Sequence, residues 1–369
     1  MQDLRYQICE RCIMDTSAKD IIFDDKGICN YCSEYLTRES KTKKSVNDLN
    51  KLLDNIKSKG KNLKYDCVVG LSGGVDSTFS LIKACENGLR PLAVHLDNGW
   101  NSELAQNNIS TLVRKYKVDL ITHVVDWKEY RNYQEAFFLA NVIDIELLMD
   151  NAMLAVNYYY ANKFKVKFIL SGTNTSTEGF KIPKNWSWFK NDKKNILKIG
   201  NKFTNQKNKT LPLFGTYQFI YYELIKKIKW ILFPDYFNYN KSNALDEIKN
   251  KCNFKPYPYK HYESVFTRFY QAYILTKKFG VDKRKLHLSN LIISKQMTRD
   301  EALIKIQQPT YPNEEDENKD IKYFLKKMKW DKNKLQKYLN DPEVQHNFYP
   351  SEINLWNNLS KIYKFFKNI

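Results

Sequence analysis

No stretch of this 369-residue chain is apolar for long enough to cross a bilayer. The most apolar windows, such as Trp230 to Pro234, are short and closed by charge, with Lys229 before and Asp235 after. The first residues, MQDLRYQICE, lack the apolar core of a secretory signal, so the expectation is a cytoplasmic protein with no membrane role. There are no internal repeats, and no G-x-x-x-x-G-K-S/T, which sets aside the Walker loop of γ-phosphate transfer. Acidic residues are in the minority, 41 against 60 basic, for a net charge of +19. Such an excess invites a nucleic-acid reading, since Lys and Arg neutralise phosphates. Here the lysines are spread along the chain among Asn and Tyr, a bias that genome composition produces without a partner, and no nucleic acid is expected. The length and a 43% hydrophobic content suit one large domain with one or two small additions.

The stretch around which the rest is organised is Tyr65 to Ser77, YDCVVGLSGGVDS. Cys67, Val68, Val69 and Leu71 read as a buried strand of a parallel sheet, which breaks into Ser72, Gly73 and Gly74 before a helix opening near Val75. This is a phosphate cradle: the glycines turn tightly, and the free N–H groups and dipole of the helix start favour an anion. Ser72 and Ser77 can add hydroxyl donors. Asp76 would repel phosphate unless a divalent cation stood between them, which makes it a candidate Mg²⁺ ligand.

Four of the seven cysteines are patterned. Cys9-x-x-Cys12 and Cys29-x-x-Cys32, sixteen residues apart, are two thiolate knuckles with the spacing of a tetrahedral zinc ribbon. Ile21 to Phe23 and Asp24 to Gly27 read as a hairpin between them. Four thiolates close the coordination sphere, so the zinc is expected to be structural. The alternative, a disulfide pair, suits a cytoplasmic chain poorly. Cys67, Cys85 and Cys252 have no partners at metal spacing and read as core.

The expected organisation is a zinc ribbon over 1–36, a linker helix over 37–64, an α/β domain over 65–260 and a helical region over 261–369. Strands are placed at Tyr65–Leu71, Pro91–Leu96, Asp119–Val125 and Val166–Ser171, with helices over Val75–Asn87, Ser102–Tyr116 and one long stretch, Glu129–Asn162. That alternation argues for a parallel sheet whose ligand lies beyond the carboxyl ends of the strands. His95 and Asp97 end the second strand, where they suit contacts to a nucleoside or belong to a plain Asp-Asn-Gly loop. SGTNTSTEG, Ser171 to Gly179, ends the fourth and brings Gly172, Thr173 and the carboxylate Glu178 to the same rim as Asp76. Past Phe180 the alternation stops, and residues 181–212 read as an irregular functional loop. Lys283 and Arg284 lie in a basic turn that could meet an anion or stay solvated, and Thr298-x-x-Glu301 opens a capped helix. The residues after Pro309 carry no motif.

SGGVDS resembles the pyrophosphatase loop of N-type ATP pyrophosphatases, and GT-x-x-x-x-E at Gly172–Glu178 looks like the segment of NAD synthetase whose acid shares Mg²⁺ with the loop aspartate. The ordered set CERCIMDTS, GICNYC, GLSGGVDS, HLDNGWNSELA, LSGTNTSTEG, HYES, DKRKLHLSNLI and MTRDEAL, running from Cys9 to about Pro312, is similar to the N-acetyl sugar amidotransferases of bacterial surface-glycan biosynthesis. The resemblance implies an adenine-nucleotide alpha-hydrolase-like PP-loop ATPase domain. ATP would be held by Gly70, Leu71, Ser72, Gly73, Gly74, Val75, Asp76, Ser77, His95, Asp97, Gly172 and Thr173. Mg²⁺ would be shared by Asp76 and Glu178, with Lys283 and Arg284 gaining weight as anion contacts. The implied substrate is a nucleotide-linked N-acetyl sugar of lipopolysaccharide or flagellin glycosylation, of the pseudaminic or legionaminic acid type.

The implied chemistry is adenylation of the acetamido oxygen followed by attack of ammonia to leave an acetamidino group. Residue 2 is Gln and no cysteine sits among the small residues of a nucleophile elbow. The ammonia is therefore expected from a separate glutaminase, as the resemblance also implies. The oligomeric state is left open, a homo-oligomer included. Two other readings stand beside this one: a tRNA thiolase, which shares loop, ribbon and adenylation, and a non-catalytic zinc-ribbon RNA-binding protein, which leaves SGGVDS and SGTNTSTEG unexplained.

Overall fold

The computed structural model describes residues 6–42, 44–204, 207–257 and 262–367. Five parallel strands form one sheet: β1 (Cys67–Gly70), β2 (Pro91–Asp97), β3 (Leu120–Val124), β4 (Phe168–Ser171) and β5 (Lys229–Leu232), in the order β3-β2-β1-β4-β5. Alternation sends the side chains of β1 to both faces, so both must be covered. Cys67 and Val69 enter a core with Phe79, Leu81 and Ile248, while Val68 joins Leu92, Val94 and Val156 on the other side. Cys252 is buried in the first of these cores and Cys85 packs against it.

The helices before β4 are α1 (Asn30–Thr42), α2 (Val46–Gly60), α3 (Val75–Glu86), α4 (Glu103–Tyr116), α5 (Trp127–Leu139) and α6 (Leu147–Lys163). Ser45 and Asp48 form a capping box that starts α2, and Ser102 and Asp126 cap α4 and α5. Four expectations change. The single helix over Glu129–Asn162 is two, α5 and α6, because the chain turns at Asn141 with φ at 54°. The linker helix is likewise two, and α1 begins inside the ribbon. The sheet does not end at four strands: KWIL, which opens on a charge, pairs as β5 with Phe168–Ser171. Within 181–212 there is also an ordered helix, Lys193–Phe203, capped by Asp192. The expected boundary at 260/261, and His261 with it, lies outside the described residues.

A third core joins the ribbon, α5 and the C-terminal helices. The turn between α5 and α6 is held by buried polar groups. Asp144 accepts from Trp188 N and Lys190 Nζ, both at 2.7 Å, and its own N–H donates to His346 Nε2 at 3.1 Å. Burial pushes Asp144 up, but the charges of Lys190 and Lys283 outweigh it and leave its pKa below the usual carboxylate range. His346 bonds Asn195 through Nδ1 at 2.9 Å and stacks on Trp188, and burial pushes its pKa down to about 3. The folded protein thus keeps this ring neutral where the unfolded chain, titrating near 6.5, takes a proton. Stability should be unaffected above that pH and fall as pH drops through the window, by about 2–3 kcal/mol at two units below the unfolded value. Urea midpoints across that range should show the loss, and His346→Gln should flatten it; an unchanged slope would refute the assignment.

Candidate active site

The strand order reverses at β1: the chain runs outward through β2 and β3, then returns to place β4 on the other side. In an open parallel sheet the crevice for a ligand forms at that switch, beyond the carboxyl ends of the two strands. Val69 pairs with Leu170, so the loop after β1 and the loop after β4 emerge side by side. The first is SGGVDS and the second is GTNTSTE, ending in the short helix α7 (Thr175–Glu178).

The SGGVDS loop is braced from within. Ser77 Oγ accepts from Ser72 N at 3.2 Å and donates to Gly74 O at 3.2 Å, and Ser72 Oγ accepts from Gly74 N at 3.2 Å. Gly73 has φ at 83° and its back lies on Ala105 in α4, while Tyr257 Oη donates to its carbonyl at 2.9 Å. Leu71 N continues the ladder to Val94 O at 2.8 Å, Gly70 faces the Asn157 amide of α6, and Val75 opens α3. Gly74 is the N-cap of α3 and lends no side chain to it, leaving the helix start open to an anion.

Gly172 is where the two loops touch. A Cβ there would lie 2.6 Å from Ser77 N and 2.7 Å from the Asp76 carbonyl carbon, backbone atoms that no rotamer can move aside. Gly172→Ala should therefore cost about 1–3 kcal/mol of stability by forcing the loops apart. An unchanged denaturation midpoint would show that the contact is slack. Thr173 is exposed, its N–H donating to Ser171 Oγ at 3.1 Å.

Asp76 is bonded by a residue that no sequence pattern marked. Tyr239, 6% exposed, donates its hydroxyl to Asp76 Oδ1 and packs edge-on against Phe79 of α3 with ring centroids 5.0 Å apart. Burial, then Asp76 and, more weakly, Glu178 push its pKa far above the usual phenol range. One phenol thus feels both carboxylates, which sit on the N-terminal turns of α3 and α7. Asp235, also unmarked, accepts from Thr175 N at 2.7 Å and from its hydroxyl at 2.6 Å, fixing α7 from the segment after β5. The third addition is Glu263. Its Oε1 would stand 3.3 Å from a Cβ on Gly74, at the mouth of the cradle. Ser102 N donates to the Glu263 carbonyl at 2.9 Å, so the C-terminal region is stitched to the loop after β2. Glu263 lies in HYES, a segment of the resemblance that carries no chemical motif of its own; Tyr239 and Asp235 sit in FPDYFNYN, which has no motif spacing.

His95, Asp97, Lys283 and Arg284 all have partners within the chain. His95 does not turn a free nitrogen to the rim: Nε2 accepts from the Asn101 amide at 2.9 Å, so Nδ1–H donates to Leu71 O at 2.7 Å. Burial lowers its pKa, so it is a neutral fastener of the strand end that feeds the loop. Asp97 accepts from Gly99 N at 2.8 Å and from Asn101 Nδ2 at 3.2 Å, as the plain loop reading required. Lys283 and Arg284 are tied to groups within the chain. Lys283 pairs with buried Glu146 at 2.7 Å, and Arg284 pairs with Asp282 and donates to the carbonyls of Ile306, Gln308 and Pro309. Their placement follows from carboxylates and carbonyls distant in sequence, which spacing alone cannot reveal.

Cys9, Cys12, Cys29 and Cys32 are buried with their sulfurs all within 4.8 Å of one another. Cys12 Sγ and Cys29 Sγ are 3.7 Å apart, too far for a disulfide and equal to the edge of about 3.8 Å that Zn–S bonds of about 2.3 Å give a tetrahedron. Arg11, Met14 and Cys29 N–H groups point at sulfurs, at 3.4, 3.4 and 3.2 Å, as thiolate acceptors require. The donor set fits a structural zinc. The hairpin between the knuckles reduces to a turn at Gly27 and a single bridge, Phe23 with Cys29. The ribbon is clamped from the C-terminal region: Arg299 donates to the carbonyls of Cys9 and Cys12, and Lys285 pairs with Asp15. On its other side Tyr35 of α1 lies against Gly179 and Phe180, directly after Glu178.

Residues 263–363 match the family described as LPS biosynthesis protein WbpG-like, C-terminal domain. This agrees with the amidotransferase resemblance, and Glu263 is the first residue of the match. An uncharacterized protein of Methanocaldococcus jannaschii, MJ1599, is 32% identical over 115 residues, covering 31% of this chain and 41% of that protein, so the chain spans less than half its relative's length. Among solved structures, NMN synthetase from Francisella tularensis is 17% identical with a TM-score of 0.29, covering 59% of this chain and 99% of that one. The NH3-dependent NAD synthetase from Campylobacter jejuni is 15% identical with the same TM-score, covering 72% of this chain and 97% of that one. At these TM-scores neither bears on the chemistry of this chain. The fold is a parallel α/β sheet with the SGGVDS loop at its switch point and a Cys₄ cluster near the N-terminus. Among the described residues no helix is long and apolar enough to cross a membrane.

Proposed function

We propose that this protein is an ATP-dependent amidotransferase of surface-glycan biosynthesis, which converts an N-acetyl group of a nucleotide-linked sugar to an acetamidino group. The observation that carries the reading is the convergence of SGGVDS, Asp76 and Glu178 at the β1/β4 switch in a chain with a WbpG-like C-terminal domain. The amide oxygen attacks the α-phosphorus of ATP, forming an O–P bond as the bond to pyrophosphate breaks. Ammonia then adds to the imidate carbon, the C–O bond to AMP breaks, and a proton is released as the amidine forms. The loop N–H groups and the start of α3 take the charge that develops on pyrophosphate. Asp76 and Glu178 would hold Mg²⁺, which screens that charge when bound. No step needs a covalent nucleophile from the protein, and a separate glutaminase supplies the ammonia.

A thiolase would need a reactive thiol at the rim. Cys67 is inside β1, Cys85 lies on the last turn of α3, away from the loop, and Cys252 ends the helix Lys241–Cys252; burial raises all three, Cys85 to about 11. No thiol is therefore poised as a nucleophile there. The test is pyrophosphate release from Mg-ATP with high ammonium chloride across nucleotide-linked diacetamido sugars. Release that requires one sugar, forms AMP and exchanges oxygen for NH in the product is expected. Silence across the panel, with release on tRNA, would overturn the reading. The purified chain should not hydrolyse glutamine by itself.

A further inference from the structure

We infer that the cleft along α8 (Lys193–Phe203) binds a nucleoside diphosphate, free or sugar-linked, at a site separate from the SGGVDS rim. No residue of SGGVDS or of Gly172–Glu178 lines the cleft, so the inference stands apart from the reaction proposed above. The volume is about 500 Å³, within the range of small-molecule sites. Three segments meet to form it: the first turns of α8, the pair Tyr217 and Gln218, and residues 351–355. Their junction is built from buried polar groups. Asp192, fully buried, caps α8 at Asn195 N and accepts from Glu352 N at 2.9 Å. The Glu352 carboxylate in turn accepts from Lys194 N at 3.2 Å and from Thr216 N at 2.6 Å. Gly215 makes room for it, since a Cβ there would stand 2.8 Å from both Glu352 oxygens.

The fold does not account for the cations of this cleft. Lys193 and Lys194 occupy the first turn of α8, where the helix dipole disfavours positive charge, and Lys198 follows Lys194 by four residues, where like charges repel. Neighbouring lysines are satisfied within the chain: Lys190 pairs with Asp144 at 2.7 Å and Asp150 at 2.8 Å, and Lys202 stands over the rings of Phe203, Phe348 and Tyr349. Among the described residues Lys193, Lys194 and Lys198 have no carboxylate or ring partner, yet all three line the cleft. A diphosphate supplies the negative charge they lack. The same cleft suits the rest of a nucleotide. Tyr217 presents a ring that is 71% exposed, and every base has a face to stack on it. Gln218 Oε1 accepts from Gly215 N at 3.2 Å, which leaves its N–H groups, with the Asn201 amide, to meet a base edge or a ribose.

The experiment uses the full, zinc-loaded chain with Mg²⁺ and the ATP analogue AMPCPP at saturation, and reads the binding of UDP and of inorganic pyrophosphate by titration calorimetry. UDP should bind with the analogue in place. Joint substitution of Lys194→Ser and Lys198→Ser should weaken both probes about 10-fold or more, the loss expected when charged donors are withdrawn from an anion. Tyr217→Ala should weaken UDP about 5-fold or more and leave pyrophosphate unchanged. Thermal midpoints should stay near wild type, because these side chains have no partners to lose among the described residues. UDP-N-acetylglucosamine, run beside UDP, separates the two sources: tighter binding marks a sugar-linked nucleotide and equal binding a free one, and either supports the site. No UDP binding, UDP binding unchanged by the lysine substitutions, or an equal loss in Asp76→Asn would overturn the inference. Pyrophosphate release plays no part in these readouts, so the site can stand where the proposed reaction fails.

Discussion

Asp76→Asn should slow pyrophosphate release by about 100-fold or more, a loss in the range seen when one preorganised electrostatic group is taken from a transition state. Asparagine keeps the shape and can still accept from Tyr239, so the fold should be spared. It lacks the charge that holds a cation against phosphate. Like charges about 4 Å apart repel by about 4 kcal/mol at an effective dielectric of 20, and without a bridging cation the loop N–H groups must bear that alone. Pyrophosphate release at saturating sugar and ammonia, beside a thermal midpoint, separates the two effects. A rate within a few fold of wild type would remove Asp76 from the site.

The second large effect is on the ribbon. Stripping zinc, or replacing Cys29 with serine, should unfold residues 9–32, because structural zinc contributes on the order of 10 kcal/mol to segments too small for a core. Cys29 is the most telling choice, since its thiol faces Cys12 and its N–H donates to Cys9. The loss should spread in two directions. Arg299 and Lys285 lose their carbonyl and carboxylate partners on the ribbon, and Tyr35 no longer backs Gly179 beside Glu178. Metal analysis should find one zinc per wild-type chain. The variant should show none, a lower thermal midpoint and weaker ATP binding. A zinc-free chain with the wild-type midpoint would refute the structural role.

The rim itself was legible because its signals are local. SGGVDS and GTNTSTE each encode their own turn and helix start, and the strand order needs only the alternation of apolar runs and helices to put both at one edge. The partners of Lys283 and Arg284 were not legible, because a basic turn looks the same whether its partners are solvent, ligand or buried carboxylates. Glu146 lies 137 positions from Lys283, and no spacing rule reaches that far. β5 escaped for a related reason: four residues that open on a charge show no period, and only pairing with β4 makes them a strand.

The sequence by itself determined the chemistry on offer: four thiols at knuckle spacing, a glycine loop between a buried strand and a helix, and a carboxylate beside each loop. These are short-range patterns, and the physics behind each is complete within about ten residues. Only the tertiary structure decided who stands around them. It brought Tyr239 and Asp235 from beyond β5, set Glu263 from the C-terminal region against Gly74, turned His95 inward and locked the ribbon to Arg299. Each of those contacts depends on packing that covers both faces of the sheet, a property of the whole chain that no window of sequence contains.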